Sequence, residues 1–364
     1  MIELPLEAVL FVFLLIVGIV VGRLRNLFGA AMLTGIFSFL SAGLFTLMTA
    51  VDVAFTEAAV GAGISTVLFL ATLALTDDTE KPSERSWLAI GVVTLTAIAL
   101  FFGLFDMPGY GDPDAPIHGG VGKHYLEHSW AEIGLPNVVT SVLASYRGYD
   151  TFGELAVVFT AGIGVTLLLR SKSAQMGDDK APIPFRSRAP YVREMPIVRA
   201  VAKVMLPFIL LFALYVQAHG DFGPGGGFQA GVVFAAGFVL YGLVWGPRAL
   251  QRVARERFLE TGMAVGLLMY GGVGVAALFM GGTFLDYSAF TPEHPQHGQH
   301  WGIFLVELGV GLTVSAVMLV IYFVFTARPR SRAERNRQAG SIHPPRLTLP
   351  EVPELRASDD EGAP

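Results

Sequence analysis

Apolar residues come in long runs along the chain, separated by short polar or glycine-rich segments. Nine runs approach the roughly 20 residues needed to cross a bilayer as a helix: about 6–22, 28–49, 53–75, 87–105, 152–170, 196–217, 228–246, 258–280 and 301–325. Backbone groups in lipid have no water to bond, so each run is expected to be helical. The predicted fold class is therefore an all-α membrane protein, a polytopic bundle of about nine transmembrane helices. The first run resembles a secretory leader in length. However, Glu3 and Glu7 stand at its start, Arg23 and Arg25 follow it, and no small-residue cleavage site is evident, so it counts as a span.

Composition agrees with this pattern. Of 364 residues, 53% are hydrophobic and 15% charged, and the mean hydropathy is +0.56, too apolar for a soluble domain of this size. Cysteine is absent, which excludes disulfides, thiolate-bound zinc and iron–sulfur clusters on this chain. With nine spans, 23 of the 25 Lys and Arg residues fall on one side, and only Lys123 and Arg147 lie opposite. Positive residues mark the cytoplasmic side, so the N-terminus is expected outside and the C-terminus in the cytoplasm. The same asymmetry tests the span count, because one helix more or fewer would scramble every later loop. The net charge of −5 says little about partners when acids and bases are sorted to opposite faces. A nucleic-acid partner is not expected.

The runs group into modules: three helices in 1–80, then two helices in 81–175 separated by a long outer segment. A cytoplasmic linker at 176–195, rich in proline and mixed charge, leads to four helices in 196–327. The tail 328–364 has few large apolar residues and is expected to be disordered. Within the outer segment, LPNVVTSVLASYRGYDTFGE reads either as a short amphipathic helix or as an ordinary loop.

One stretch breaks the apolar pattern sharply: HGDFGPGGGFQAG, residues 219–231. Gly225, Gly227 and Ala230 fit a dinucleotide fingerprint, but such a loop must follow a strand and be trailed by an acid about 20 residues on. Here it follows a helical run, and residues 248–252 are basic. Two readings stay open for His219, Asp221, Phe222, Gly223, Pro224, Gly225, Gly226, Gly227 and Phe228. One is a tight turn, with Pro224 stopping a helix and the glycines taking positive φ. The other is irregular chain dipping into the membrane against protein or a water-filled cavity.

Acids inside spans are costly unless they face water, a partner or a cation. Glu57 lies about 9 Å below the start of its run at 1.5 Å per residue, with Asp52 near the mouth and Thr56 beside it. Glu307 sits at similar depth in the last run, and Glu154 enters the fifth. All four acids fall in the outer half and could line one path for Na⁺ or H⁺; a neutral acid bonded to a neighbouring helix is the alternative for Glu307. Lys203 either snorkels or pairs with another protein of an assembly. The outer histidines 118, 124, 128, 294, 297 and 300 lack a helical metal-site pattern, so neither a metal nor a cofactor is predicted. Ala58, Ala59, Ala62, Gly63, Gly262, Gly266 and Gly309 mark close helix packing.

HGDFGPGGGFQAG followed by VVFAAGFVLYG resembles the signature of the MnhB family, the B subunits of multi-component Mrp sodium/proton antiporters, over 196–326. Residues 24–70, with TEAAVGAG, are similar to the MbhD module, and 87–170, with GELAVVFTAGIGVTLLL, to MbhE. The resemblance implies a cell-membrane component of an Mrp-type monovalent cation/proton antiporter, not an enzyme. The implied partners are the large A and D subunits, the small C, E, F and G subunits, and membrane lipid. It also places Glu57 in the MbhD motif, where Na⁺ could bind transiently. The large antiporter domain that precedes the first two modules in the Mrp A subunits has no counterpart within these 364 residues. A component of a membrane-bound hydrogenase or complex-I-like respiratory complex is the second reading.

Overall fold

The computed structural model describes residues 3–73, 79–80, 86–175 and 195–326. Almost all of the linker 176–195 and the whole tail 328–364 lie outside the described residues. Helix α1 covers Glu3–Val21, α2 Leu27–Leu47 and α3 Val51–Leu73. Helix α4 covers Trp87–Leu104 and α5 Val121–Glu132, and α6 runs from Val138–Thr140 into a π-helical Ser141–Tyr146. Helix α7 is Gly148–Gln175, α8 Pro196–His219, α9 Gly227–Trp245, α10 Pro247–Val253, α11 Glu256–Phe279 and α12 Pro295–Thr326. Among the described residues the only β feature is an isolated bridge between Asn26 and Thr79.

Among the described residues eight helices, α2, α3, α4, α7, α8, α9, α11 and α12, are long and apolar enough to cross a membrane. Helix α1 has a shorter apolar stretch, Pro5–Val21. The difference from nine spans is one of length, since this stretch falls short of the ~20 residues of a full crossing. The result is an all-α, multi-pass membrane fold.

Helix α12 is the hub, packing against α11, α9 and α7 with Ile303, Val306, Val314 and Val317 buried. Close approach depends on glycine. A Cβ on Gly266 would lie 2.5 Å from the Gly309 carbonyl, and one on Gly309 would lie 2.7 Å from the Gly266 carbonyl, so α11 and α12 touch backbone to backbone. Gly262 makes only ordinary contacts with Ala316 and Leu312, and Ala59 packs against the main apolar core.

The segment read as helix or loop is a helix, and it is docked rather than free. The Tyr287 hydroxyl donates to the Ala144 carbonyl (2.9 Å) and the Tyr270 hydroxyl to the Gly148 carbonyl (2.8 Å), tying the junction of α6 and α7 to the core. Helix α3 switches to a π-helix over Ala58–Ser65, directly after Glu57. Such π segments within α-helices are frequent at functional sites. Helix α4 contrasts with all of these. It is exposed along its whole length and has no buried residue.

Candidate functional site

The glycine-rich stretch and the acids, read separately in the sequence, meet at one end of the bundle. Helix α8 ends at His219, whose carbonyl accepts the backbone N–H of Phe222 (2.9 Å) and of Gly223 (3.1 Å); Gly226 N–H reaches back to the Val216 carbonyl (3.1 Å). These bonds fold 220–226 into a tight loop before α9 begins at Gly227. Within 220–227 only Gly226 takes positive φ (113°). The expectation that the glycines take positive φ is corrected for the others: Gly220 and Gly227 lie against Glu307 of α12, and Gly225 against the Val216 carbonyl of α8, with no room for a side chain.

A Cβ on Gly227 would fall 2.0 Å from the Glu307 carbonyl oxygen. One on Gly220 would fall 2.9 Å from Glu307 Oε2, and one on Gly226 3.1 Å from Glu307 Oε1. Gly225 is crowded in the same way by the Val216 carbonyl, at 2.7 Å. The loop backbone thus forms a roof over the Glu307 carboxylate. Among the described residues Glu307 has no hydrogen-bond donor or basic partner, whereas the neighbouring acids each have one. Asp52 Oδ1 accepts from Gly225 N–H at 3.1 Å. Asp221 Oδ2 lies 2.7 Å from His300 Nδ1, its side chain 8% exposed against 45% for the histidine. Burial pushes the Asp221 carboxyl above the usual carboxylate range, and the charge and hydrogen bond of His300 partly offset that rise. Asp52 and Asp221 both act electrostatically on Glu307.

Helix α6 pins the loop from outside. Asn137 Nδ2 donates to the carbonyls of Gly220 (3.1 Å) and Gly223 (2.9 Å), and Thr140 Oγ1 donates to Gly220 O (2.6 Å). The Asn137 N–H itself donates to Asp221 O at 3.1 Å. On α8, Gln217 places Oε1 against Gly311, one turn along α12 from Glu307, and its Nε2 is buried without a partner.

The other predicted site residues disperse. The Thr56 hydroxyl donates to the Asp52 carbonyl within its own helix (2.9 Å). Glu57 faces α2, where a Cβ on Gly61 would meet Ser38 Oγ at 2.4 Å and Glu57 Oε1 at 2.7 Å. Glu154 on α7 and Lys203 on α8 are exposed. In the loop, His219 stacks on Tyr215 at 4.9 Å, Phe222 is 64% exposed, Pro224 is exposed, and Phe228 packs against the core. His300, Asn137, Thr140 and Gln217 went unrecognised in the sequence. The signal for His300 was available in the sequence, because Pro295 starts α12, as proline favours the first helical turn. His300 and Glu307 then stand seven residues apart on one helix face.

Comparison with known proteins gives three matches to family models. The domain related to the MnhB subunit of Na⁺/H⁺ antiporters matches residues 197–320. The D-subunit family of MBH matches 12–78, and the E-subunit family of MBH matches 89–179. A Rhizobium meliloti protein named as the A/B subunit of a K(+)/H(+) antiporter is 30% identical over 222 residues, covering 57% of this chain but 22% of that protein. The chain thus spans about a fifth of that relative's length. A Staphylococcus haemolyticus protein carrying the name antiporter subunit mnhB2 is 31% identical over 127 residues, 34% of this chain and 89% of that protein. Among solved structures, the Mrp complex from Dietzia sp. DQ12-45-1b superposes with a TM-score of 0.70 at 24% identity, over 89% of this chain and 35% of the matched one. That likeness is one of fold.

Proposed function

The chain belongs to the MnhB family of antiporter subunits, and from that premise we propose that it is a membrane component of a multi-subunit Mrp-type monovalent cation/proton antiporter. In this reading the MbhD-like, MbhE-like and MnhB-like segments form one body that sits in the cell membrane beside large antiporter-like and small subunits. The loop face looks outward and the C-terminus lies in the cytoplasm. The chain carries no catalytic chemistry of its own.

One observation carries the reading: Glu307, without a donor or a basic partner among the described residues, lies under the loop backbone beside Asp52 and Asp221. A partly buried carboxylate crowded by like charges is satisfied by a proton or by a hard cation with oxygen ligands. Those are the two species an antiporter exchanges. Glu57, at the α-to-π transition of α3, is a second station on the same helix as Asp52, five residues or about 7.5 Å further in.

The test is Glu307→Gln in the assembled complex, with Na⁺- and K⁺-dependent pH changes followed in vesicles. Exchange should fall about tenfold or more, and unchanged exchange with normal assembly would remove the acid from the mechanism. The MBH descriptions of the first two segments favour a second reading, a component of a redox-coupled respiratory complex. Co-purification of partners carrying nickel, flavin or iron–sulfur clusters would decide for it.

A further inference from the structure

We propose that His300 and Asp221 form a proton relay that loads Glu307 from the loop face; the proposal rests on the antiporter reading above.

Three observations order these groups. First, His300 is the member open to solvent: its side chain is 45% exposed at the end of the bundle, whereas the Asp221 side chain is 8% exposed and Glu307 is half-buried. Second, the first contact is direct, with His300 Nδ1 2.7 Å from Asp221 Oδ2. Third, His300 and Glu307 are two turns apart on α12, about 10 Å along its axis, too far for direct transfer. The intervening turn offers Ile303 and Phe304, which carry no proton. Asp221 comes from the loop after α8, and its chain neighbour Gly220 lies against Glu307 Oε2. Asn137 and Thr140, at the start of α6, hold that neighbour's carbonyl, and the Asn137 N–H donates to the Asp221 carbonyl, which fixes the backbone that carries Asp221.

Of the titratable groups facing this series, Tyr270 on α11 and Tyr287 before α12 act on Glu307 from the core side, their hydroxyls donating to the Gly148 and Ala144 carbonyls. Asp52 on α3 is held by Gly225 N–H. His219 on α8 is stacked on Tyr215, with its Nε2 turned to Gly223. His297, one turn back on α12, is paired with the His294 ring. Helix α6 contributes only the neutral Asn137 and Thr140. None of these contacts supplies the basic group beside Asp221; His300 does.

The transfer balances. The neutral imidazole accepts a proton from hydronium at Nε2 while its Nδ1 proton passes to Asp221 Oδ2, leaving water, a neutral ring protonated at Nε2 and a neutral acid. Asp221 then gives that proton to the Glu307 carboxylate and is again an anion, and proton exchange of the exposed ring with water restores its Nδ1–H tautomer for the next cycle. A pin that merely holds the loop would need the hydrogen bond but no proton movement, and this difference can be measured.

The experiment uses the assembled complex in vesicles, with proton flux followed at saturating cation. His300→Ala should lower flux about 100-fold, the scale of a lost acid–base group, with the KM for the cation unchanged, and millimolar imidazole should restore much of it. His300→Gln keeps a hydrogen-bond donor to Asp221, so it should assemble normally, remain slow and also respond to imidazole. Asp221→Asn should be slow and insensitive to imidazole. Wild-type flux in His300→Ala, or full activity in His300→Gln alongside an imidazole-insensitive His300→Ala, overturns the relay and leaves a pin. Absence of any cation-dependent flux in the wild-type complex would instead remove the antiporter reading and the relay with it.

Discussion

Glu307 and Glu57 are both acids set a few turns into apolar helices, yet they are housed differently. Glu307 is surrounded by groups from distant parts of the chain: Asp52 from α3, the loop after α8, and α6 holding that loop from above. The groups placed at Glu57 come from its own neighbourhood, with Ser38 on the adjoining helix α2 and Gly61 one turn on. One site is built by long-range packing of charged and polar groups. The other is built by a local change of helix type, since the π segment begins at the residue after Glu57. Disturbing the long-range site should therefore affect assembly and exchange together, while disturbing the local one should affect a single carboxylate.

The sharpest break comes from Gly227→Ala. Its Cβ would meet the backbone carbonyl of Glu307 at 2.0 Å, and backbone cannot swing aside as a side chain can. A loss of about 3 kcal/mol or more should appear as failure to recover the assembled complex from membranes, and normal yield would mean that the roof over Glu307 is looser than described. Next, a double-mutant cycle separates the two acids. Asp52→Asn with Glu307→Gln should couple by about 0.5–3 kcal/mol in exchange rate, whereas Glu57→Gln with Glu307→Gln should add to within about 0.5 kcal/mol. Asn137→Ala removes the side-chain donor to two loop carbonyls and should cost about 1–2 kcal/mol, read as a lower thermal midpoint and faster amide exchange over 220–226.

Gly61→Ala brings its Cβ to 2.4 Å from Ser38 Oγ and 2.7 Å from Glu57 Oε1. The two oxygens can rotate away, but Ser38 Cβ, also at 2.7 Å, is fixed to its backbone, so α2 and α3 must part slightly at a cost of about 1–2 kcal/mol while exchange through Glu57 is altered. The smallest effect belongs to the surface pair at the edge of α6, where the Tyr146 hydroxyl donates to Glu132. That bond holds the Glu132 carboxyl below its usual range, with His124 adding to the effect. A depressed acid contributes stability above the ordinary carboxylate range and loses it as pH falls through the folded value. Tyr146→Phe should therefore lower the thermal midpoint slightly at neutral pH, with the difference from wild type fading as pH falls through the carboxylate range.

How much of the site was legible follows from the kind of signal each residue leaves. Acids within apolar runs stand out by cost alone, so Asp52, Glu57 and Glu307 could be named without a structure. Asn137 and Thr140 could not, because an asparagine and a threonine before a short helix look like an ordinary cap. Asn137 does cap α6 through Val139 N–H (3.0 Å) while also reaching 83 residues along the chain to Gly220. His300 was hidden among neighbouring histidines until the helix start at Pro295 set its phase. Glu154 and Lys203 were equally conspicuous as charges in apolar runs, yet both point out of the fold, because charge content does not reveal the direction of a helix face.

Run length and residue chemistry determined from sequence alone that this chain is helical, embedded in a membrane and sparing with buried charge, because lipid leaves the backbone one economical way to satisfy its own hydrogen bonds. Which acids meet, and that a glycine loop closes over one of them, was decided only by tertiary packing. Backbone-to-backbone contact at Gly227 and Gly220 depends on how α8, α9 and α12 cross, and crossing geometry is a property of three helices together that no single stretch of residues encodes.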